Sequence, residues 1–175
     1  MSDLDEILEI VDEDNNVIDK APRLECYQKG LLHRAVNVFV FNSEGKVFLQ
    51  KRSEKKFGFP LYWDLSCSEH VKPGEGFEAA AKRGLKEELG IDVQVKQILP
   101  IHRIDNRDES NNQKYLDSEL MVTFKAVYNG EMKFDPKEVA EGKFFNMEEL
   151  PQPLTPWFLE DWKLIKNSAV QDMIK

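Results

Sequence analysis

Two adjacent glutamates, Glu87 and Glu88, follow Arg83 by about one helical turn, and another glutamate, Glu75, stands at the head of the same stretch. Side chains three or four apart on a helix are neighbours. Paired carboxylates with an arginine beside them make a hard-oxygen site suited to Mg²⁺. A Glu-Glu pair alone is usually a solvated helix face. The lead-in Val71-Lys72-Pro73-Gly74-Glu75 gives this one more weight, because its turn delivers a further carboxylate to the helix.

The helix itself is legible from its apolar residues. Phe77, Ala81, Leu85 and Leu89 recur at every fourth position and form a buried stripe. Gly90 ends the helix, and Ile91 follows as the usual hydrophobic clamp.

Around it the chain reads as strands. Residues 7–12 and 17–20 flank the turn Glu13-Asp14-Asn15-Asn16 as a β-hairpin, and residues 24–34 form a connector with a short helix. Residues 35–41 and 46–52 are strands joined by Asn42-Ser43-Glu44-Gly45, and residues 61–68 alternate like one strand after a basic loop, 53–60. Residues 92–99, 117–128 and 142–146 complete the strands, and residues 105–114 are polar enough for a mobile loop. Asp117 and Glu119 are two apart in a strand, so both project from one face. Thr155-Pro156 opens a last amphipathic helix in which Trp157 and Trp162 are first of all packing residues. The expected fold class is α/β, an α/β/α sandwich with a mixed central sheet. The expected organisation is one domain over 1–175: hairpin and connector 1–31, core 32–150, and C-terminal helix 151–175.

Composition excludes several functions. With 41% hydrophobic and 32% charged residues in 175, the chain suits an ordinary globular domain. A net charge of −8 argues against nucleic-acid binding. In an acidic chain the few cations near the paired glutamates stand out, and Arg52, Lys56 and Arg83 are candidates for holding anionic oxygens of a ligand. Two cysteines, Cys26 and Cys67, argue against a disulfide scaffold. The acidic start, Met1 to Glu6, is unlike a signal peptide, and no apolar run is long enough for a membrane span, so the expected location is the cytoplasm. Oligomeric state is open, a homodimer included.

The helix and its lead-in together resemble the Nudix box: a glycine, a glutamate six residues on, then Arg-Glu-apolar-x-Glu-Glu-x-Gly-apolar. Glu75, Arg83, Leu85, Glu87, Glu88, Gly90 and Ile91 match. The box's first glycine is Glu69 here, and the glutamate after the arginine is Gly84. A mid-helix glycine costs roughly 0.5–1 kcal/mol against alanine, so propensity did not select it. Either something approaches the backbone at Gly84 or a metal ligand has been given up.

Leu32-His33-Arg34-Ala35, the strand pair to Ser53, Trp63, His70, Asp117-Ser118-Glu119 and Thr155-Pro156-Trp157 extend the likeness. Over nearly the whole chain they resemble type 1 isopentenyl-diphosphate isomerases and related Nudix hydrolases. The resemblance implies a divalent metal at His33, His70, Asp117 and Glu119, with a further family histidine falling on Cys26. It also implies Mg²⁺, or Mn²⁺ in its place, held with the diphosphate by a glutamate matching Glu88. A family cysteine that works with Glu119 as an acid–base pair falls on Ser68, one residue from Cys67. Only a local bulge would turn Cys67 to that face.

The expectation is a metal-dependent enzyme acting on a small-molecule diphosphate. Hydrolysis is placed ahead of isomerisation, with Glu87 and Glu88 carrying Mg²⁺, Glu75 assisting and Glu119 as base. Trp157, Arg52, Lys56 and Arg83 would contact substrate. A fold that has lost its chemistry and only binds is the third reading.

Overall fold

The computed structural model describes residues 3–56, 58–108, 115–134 and 137–166. The strands are β1 (Ile7–Val11), β2 (Val17–Pro22), β3 (Leu32–Phe41), β4 (Val47–Arg52), β5 (Trp63–Asp64), β6 (Cys67–His70), β7 (Lys96–Asp108), β8 (Tyr115–Val127) and β9 (Val139–Phe145). The helices are α1 (Arg23–Lys29), α2 (Phe77–Leu89) and α3 (Pro156–Lys166).

Strand β3, rich in β-branched and aromatic residues, is the centre of one mixed sheet. Along one edge it pairs in parallel with β8 for its whole length, from Leu32 opposite Ser118 to Phe41 opposite Val127. Its other edge is shared in succession by β1 at His33, β6 at residues 35–38 and β4 at residues 40 and 41. Alternation along β3 sorts the core into two layers. Ala35, Phe39 and Phe41 pack with Trp157, Phe158 and Ile165 of α3. Val36, Val38 and Val40 pack with Ala80, Ala81, Leu85 and Leu89 of α2. The result is the expected α/β/α sandwich with a mixed sheet.

Helix α2 ends where glycine chemistry permits. Gly90 has φ 68°, and its N–H bonds back to the carbonyls of Leu85 and Lys86. Gly84 has a different reason. A Cβ built there would stand 2.6 Å from both Cys67 Sγ and Glu69 Cγ, so β6 packs directly on the backbone of α2. Of the two explanations for this glycine, close approach is the one observed.

Beyond shifts of one or two residues, four boundaries differ from the sequence reading, the first being β3, which begins at Leu32 and so places His33 in a strand rather than in the connector 24–34. Residues 61–68 are two short pieces, because β5 pairs with β4 whereas β6 crosses to β3. Strand β7 begins later than expected and runs through Asp108, so 105–108 are paired with β8 rather than looped; residues 109–114 lie outside the described residues. The last strand, β9, starts at Val139, three residues before the expected start at Gly142. No helix among the described residues is long and apolar enough to cross a membrane.

Candidate active site

The sheet registers bring the first set of residues together. His33 lies opposite Glu119, and Ala35 lies opposite His70, so His33, His70 and Glu119 share the face of β3 that Ala35 occupies. Asp117, two residues before Glu119, joins them. All four are buried. The Nε2 atom of His33 is 3.4 Å from Asp117 Oδ1 and 3.8 Å from Glu119 Oε1, while His70 Nε2 is 3.6 Å from Glu119 Oε1.

The hydrogen-bonding pattern of these groups fits a cation. His33 Nδ1 lies 2.8 Å from the carbonyl oxygen of Leu31, which keeps the proton on Nδ1 and leaves an Nε2 lone pair facing carboxylates. His33 Nε2 and Asp117 Oδ1 are buried without a hydrogen-bond partner, an arrangement that costs free energy until something positive joins them. Burial, reinforced by the charge of Arg23, holds His70 well below its usual range, so its ring is neutral and free to ligate. Burial and the neighbouring Asp117 push Glu119 upward. The ligand atoms of His33, His70 and Glu119 all lie within 4.8 Å of one another, which fits a divalent ion. Cys26 is not part of this set. It is fully buried with Leu8, Ile10 and Ala21, and burial pushes its thiol up to about 11.

His70, Asp117 and Glu119 line a pocket of about 440 Å³, with His33 fully buried beside them. From α2, Glu88 enters it, bonded to Gln50 Nε2 at 2.8 Å. Burial and the charge of Glu69 push Glu88 up to about 8. Glu87 stands at the rim with its side chain 54% exposed, 3.6 Å from Lys72 Nζ. Ser68 lines the pocket, whereas Cys67, one residue away, points under α2 and is fully buried. The β3–β6 register runs without a shift, so no bulge turns Cys67 around, and burial pushes its thiol up further.

Asp64, buried on β5, organises the far wall. It accepts from Arg52 Nη1 at 2.9 Å, Thr155 Oγ1 at 3.0 Å and Trp157 Nε1 at 2.6 Å. The Arg52 guanidinium thereby lies 5.2 Å over the Trp157 ring, with both side chains lining the pocket. Lys56 reaches the same wall, paired with Glu138.

Two expected site residues stand elsewhere. Arg83 is fully committed as a clamp: it donates to Glu75, Glu69, Glu87 and the carbonyl of His70, and does not line the pocket. Both oxygens of Glu75 are taken by Arg83, and one also caps the Lys72 N–H. Burial opposes the charge of Glu75, but these bonds hold its carboxyl below the usual range. Glu75 therefore fixes the lead-in turn instead of facing a metal. Conversely, Arg23, Tyr27 and Tyr115 line the pocket and did not stand out in the sequence. The signal was there for the first pair: Arg23 and Tyr27 are four apart on α1, and Arg23 Nε donates to Tyr27 Oη at 2.7 Å.

Comparison with known proteins places the geometry in context. The NUDIX domain family profile matches residues 31–167. Isopentenyl-diphosphate Delta-isomerase 2 of Photorhabdus laumondii is 34% identical, with 97% of this chain and 96% of that protein covered. Isopentenyl-diphosphate Delta-isomerase of Streptomyces griseus is 33% identical over 87% of this chain and 80% of its own. Among solved structures, DR0079 of Deinococcus radiodurans superposes with a TM-score of 0.64 at 21% identity, with 97% of each chain covered, a likeness of fold. The names of the curated relatives overturn the expectation that hydrolysis comes first, since they are consistently those of isomerases.

Proposed function

The chain belongs to the NUDIX domain family and is an enzyme, and from that premise we propose that it is an isopentenyl-diphosphate Delta-isomerase. The observation that carries this reading is the match, over nearly the full length of both chains, to a relative of that name. The pocket supports it by offering two carboxyl groups in one cavity: Glu119 to handle the proton, and Glu88, which stays protonated near neutral pH until a cation joins it.

The reaction moves a double bond. A proton adds to the terminal methylene carbon, positive charge develops on the branched carbon, and a proton leaves the carbon on its other side. When bound, Mg²⁺ or Mn²⁺ supplies positive charge at Glu88, with Glu87 beside it, against the diphosphate oxygens, and a divalent ion does so at His33, His70, Asp117 and Glu119. Arg52 and Lys56 face the same oxygens. The Trp157 ring, held by Asp64, offers an aromatic surface to the cationic carbon. Glu119 is the group that gives and takes the proton. Ser68 enters from β6, across β3 from Glu119. Its hydroxyl is a far weaker acid than a thiol, so it relays a proton but does not store one.

Isopentenyl diphosphate incubated with protein and Mg²⁺ in D₂O tests the assignment. Deuterium entering the new methyl group supports it, and an allylic product without deuterium contradicts protonation by an exchangeable group.

A further inference from the structure

On helix α1, neighbouring residues point about 100° apart. Cys26 therefore faces the small cluster of Leu8, Ile10 and Ala21, and Tyr27 faces the buried histidines. Tyr27 is 2% exposed. Its hydroxyl oxygen accepts from Arg23 Nε at 2.7 Å and lies 3.3 Å from His70 Nε2. That nitrogen is 3.6 Å from Glu119 Oε1, which is 3.8 Å from His33 Nε2, itself 3.4 Å from Asp117 Oδ1. Ligands held about 2.0–2.2 Å from one divalent ion are roughly 3.0–3.6 Å apart, so the tyrosine oxygen sits at a ligand's distance from its neighbour. The unpartnered His33 Nε2 and Asp117 Oδ1 are an independent sign that a cation belongs in this ring.

Resting on the metal set of the proposed isomerase, we propose that Tyr27 is an oxygen ligand of the ion held by His33, His70, Asp117 and Glu119, supplying the donor that Cys26 does not. Arg23 is its positioning partner. A guanidinium that donates to the phenol oxygen fixes the direction in which that oxygen's remaining lone pair points. Neither residue is available to the site without α1, so the segment between the hairpin and β3 is part of the metal centre.

A phenol oxygen bound to Fe³⁺ gives a visible charge-transfer band, since tyrosine is a natural iron ligand. The full-length protein is stripped with chelator, loaded with one equivalent of Fe³⁺, and its metal content measured beside its spectrum. The expected result is a visible band in the wild type that persists in Tyr115→Phe. Tyr27→Phe should lose the band and bind iron about 10- to 100-fold more weakly. Iron bound without the band in the wild type, loss of the band in Tyr115→Phe, or a band surviving in Tyr27→Phe would overturn the proposal. The Tyr115→Phe arm stands even where Tyr27→Phe fails to fold. The two readings fail separately: a band without isomerase activity removes the function, and isomerase activity without the band removes the tyrosine ligand.

Discussion

Glu69 and Gly84 fit into each other: a Cβ at position 84 would stand 2.6 Å from Glu69 Cγ, and the Glu69 carboxylate bonds to Arg83 beside it. The two positions at which the sequence departs from the box are thus a contact. A glutamate on the strand lies where a side chain on the helix would otherwise be. Gly84→Ala is expected to destabilise the fold by about 1–3 kcal/mol through overpacking. Moving the carboxylate across, with Glu69→Gly and Gly84→Glu together, should be better tolerated than Gly84→Glu alone. Urea midpoints of Gly84→Ala, Gly84→Glu, Glu69→Gly and the double variant check this, and a double-variant loss equal to the sum of the Gly84→Glu and Glu69→Gly losses would contradict the exchange.

Ser68 and Cys67 define the second expectation. Cys67 is sealed under α2, so the pocket holds no thiol at residue 67, and Ser68 is the residue of the pair that lines it. Ser68→Cys should raise isomerisation at least about tenfold, within the range a positioned acid contributes. Cys67→Ser should leave the reaction itself nearly untouched and reduce stability instead. A faster Cys67 variant would mean that the other face of β6 takes part.

Glu88 is expected to trade stability for chemistry. Its carboxyl is raised by burial to about 8 in the fold, against about 4.5 when unfolded, so folding favours the protonated form. The folded protein without metal is therefore penalised increasingly as pH rises from about 4.5 to 8. Glu88→Gln should raise the stability of the chelator-treated protein at pH 8, on the order of 2 kcal/mol, and do little at pH 4. The same variant should lose catalysis. An equal effect of the substitution on stability at both pH values would contradict the burial of a protonated Glu88.

How much of this was legible in the sequence depended on the distance over which each feature acts. The stripe on α2 and its Gly90 stop are local and were readable from spacing. The face shared by Asp117 and Glu119 followed from strand alternation. The division of 61–68 into β5 and β6 was not readable, because it depends on which partner strand each half finds. A close approach at Gly84 was one of two readings open from the sequence, but that Glu69 and Cys67 are what approaches, and the Arg83 clamp, escaped, since strand-on-helix packing creates them. Arg23 and Tyr27 were hidden in a segment that reads as a connector. Their spacing marked a helix face, but only the fold shows that this face meets His33 and His70.

His102 supplies a pH dependence away from the pocket. Its Nε2 lies 2.8 Å from Asp161 on α3, whose other oxygen accepts from Asn37 and Thr123. Burial lowers the imidazole, but Asp161 more than compensates and holds it above its usual value. The bond therefore stabilises fully below about pH 6.5 and is lost as pH rises through the folded value. His102→Gln should flatten the melting temperature between pH 6 and 8. A wild-type melting temperature that rises over this window in the absence of metal, unchanged by the substitution, would contradict the pairing.

The most direct test of the central claim is product analysis with isopentenyl diphosphate and Mg²⁺, reading dimethylallyl diphosphate and released phosphate in the same reaction. We expect the allylic isomer with no phosphate release, and its loss in Glu119→Gln. Phosphate release without the isomer, or no turnover even in Ser68→Cys, would contradict the assignment.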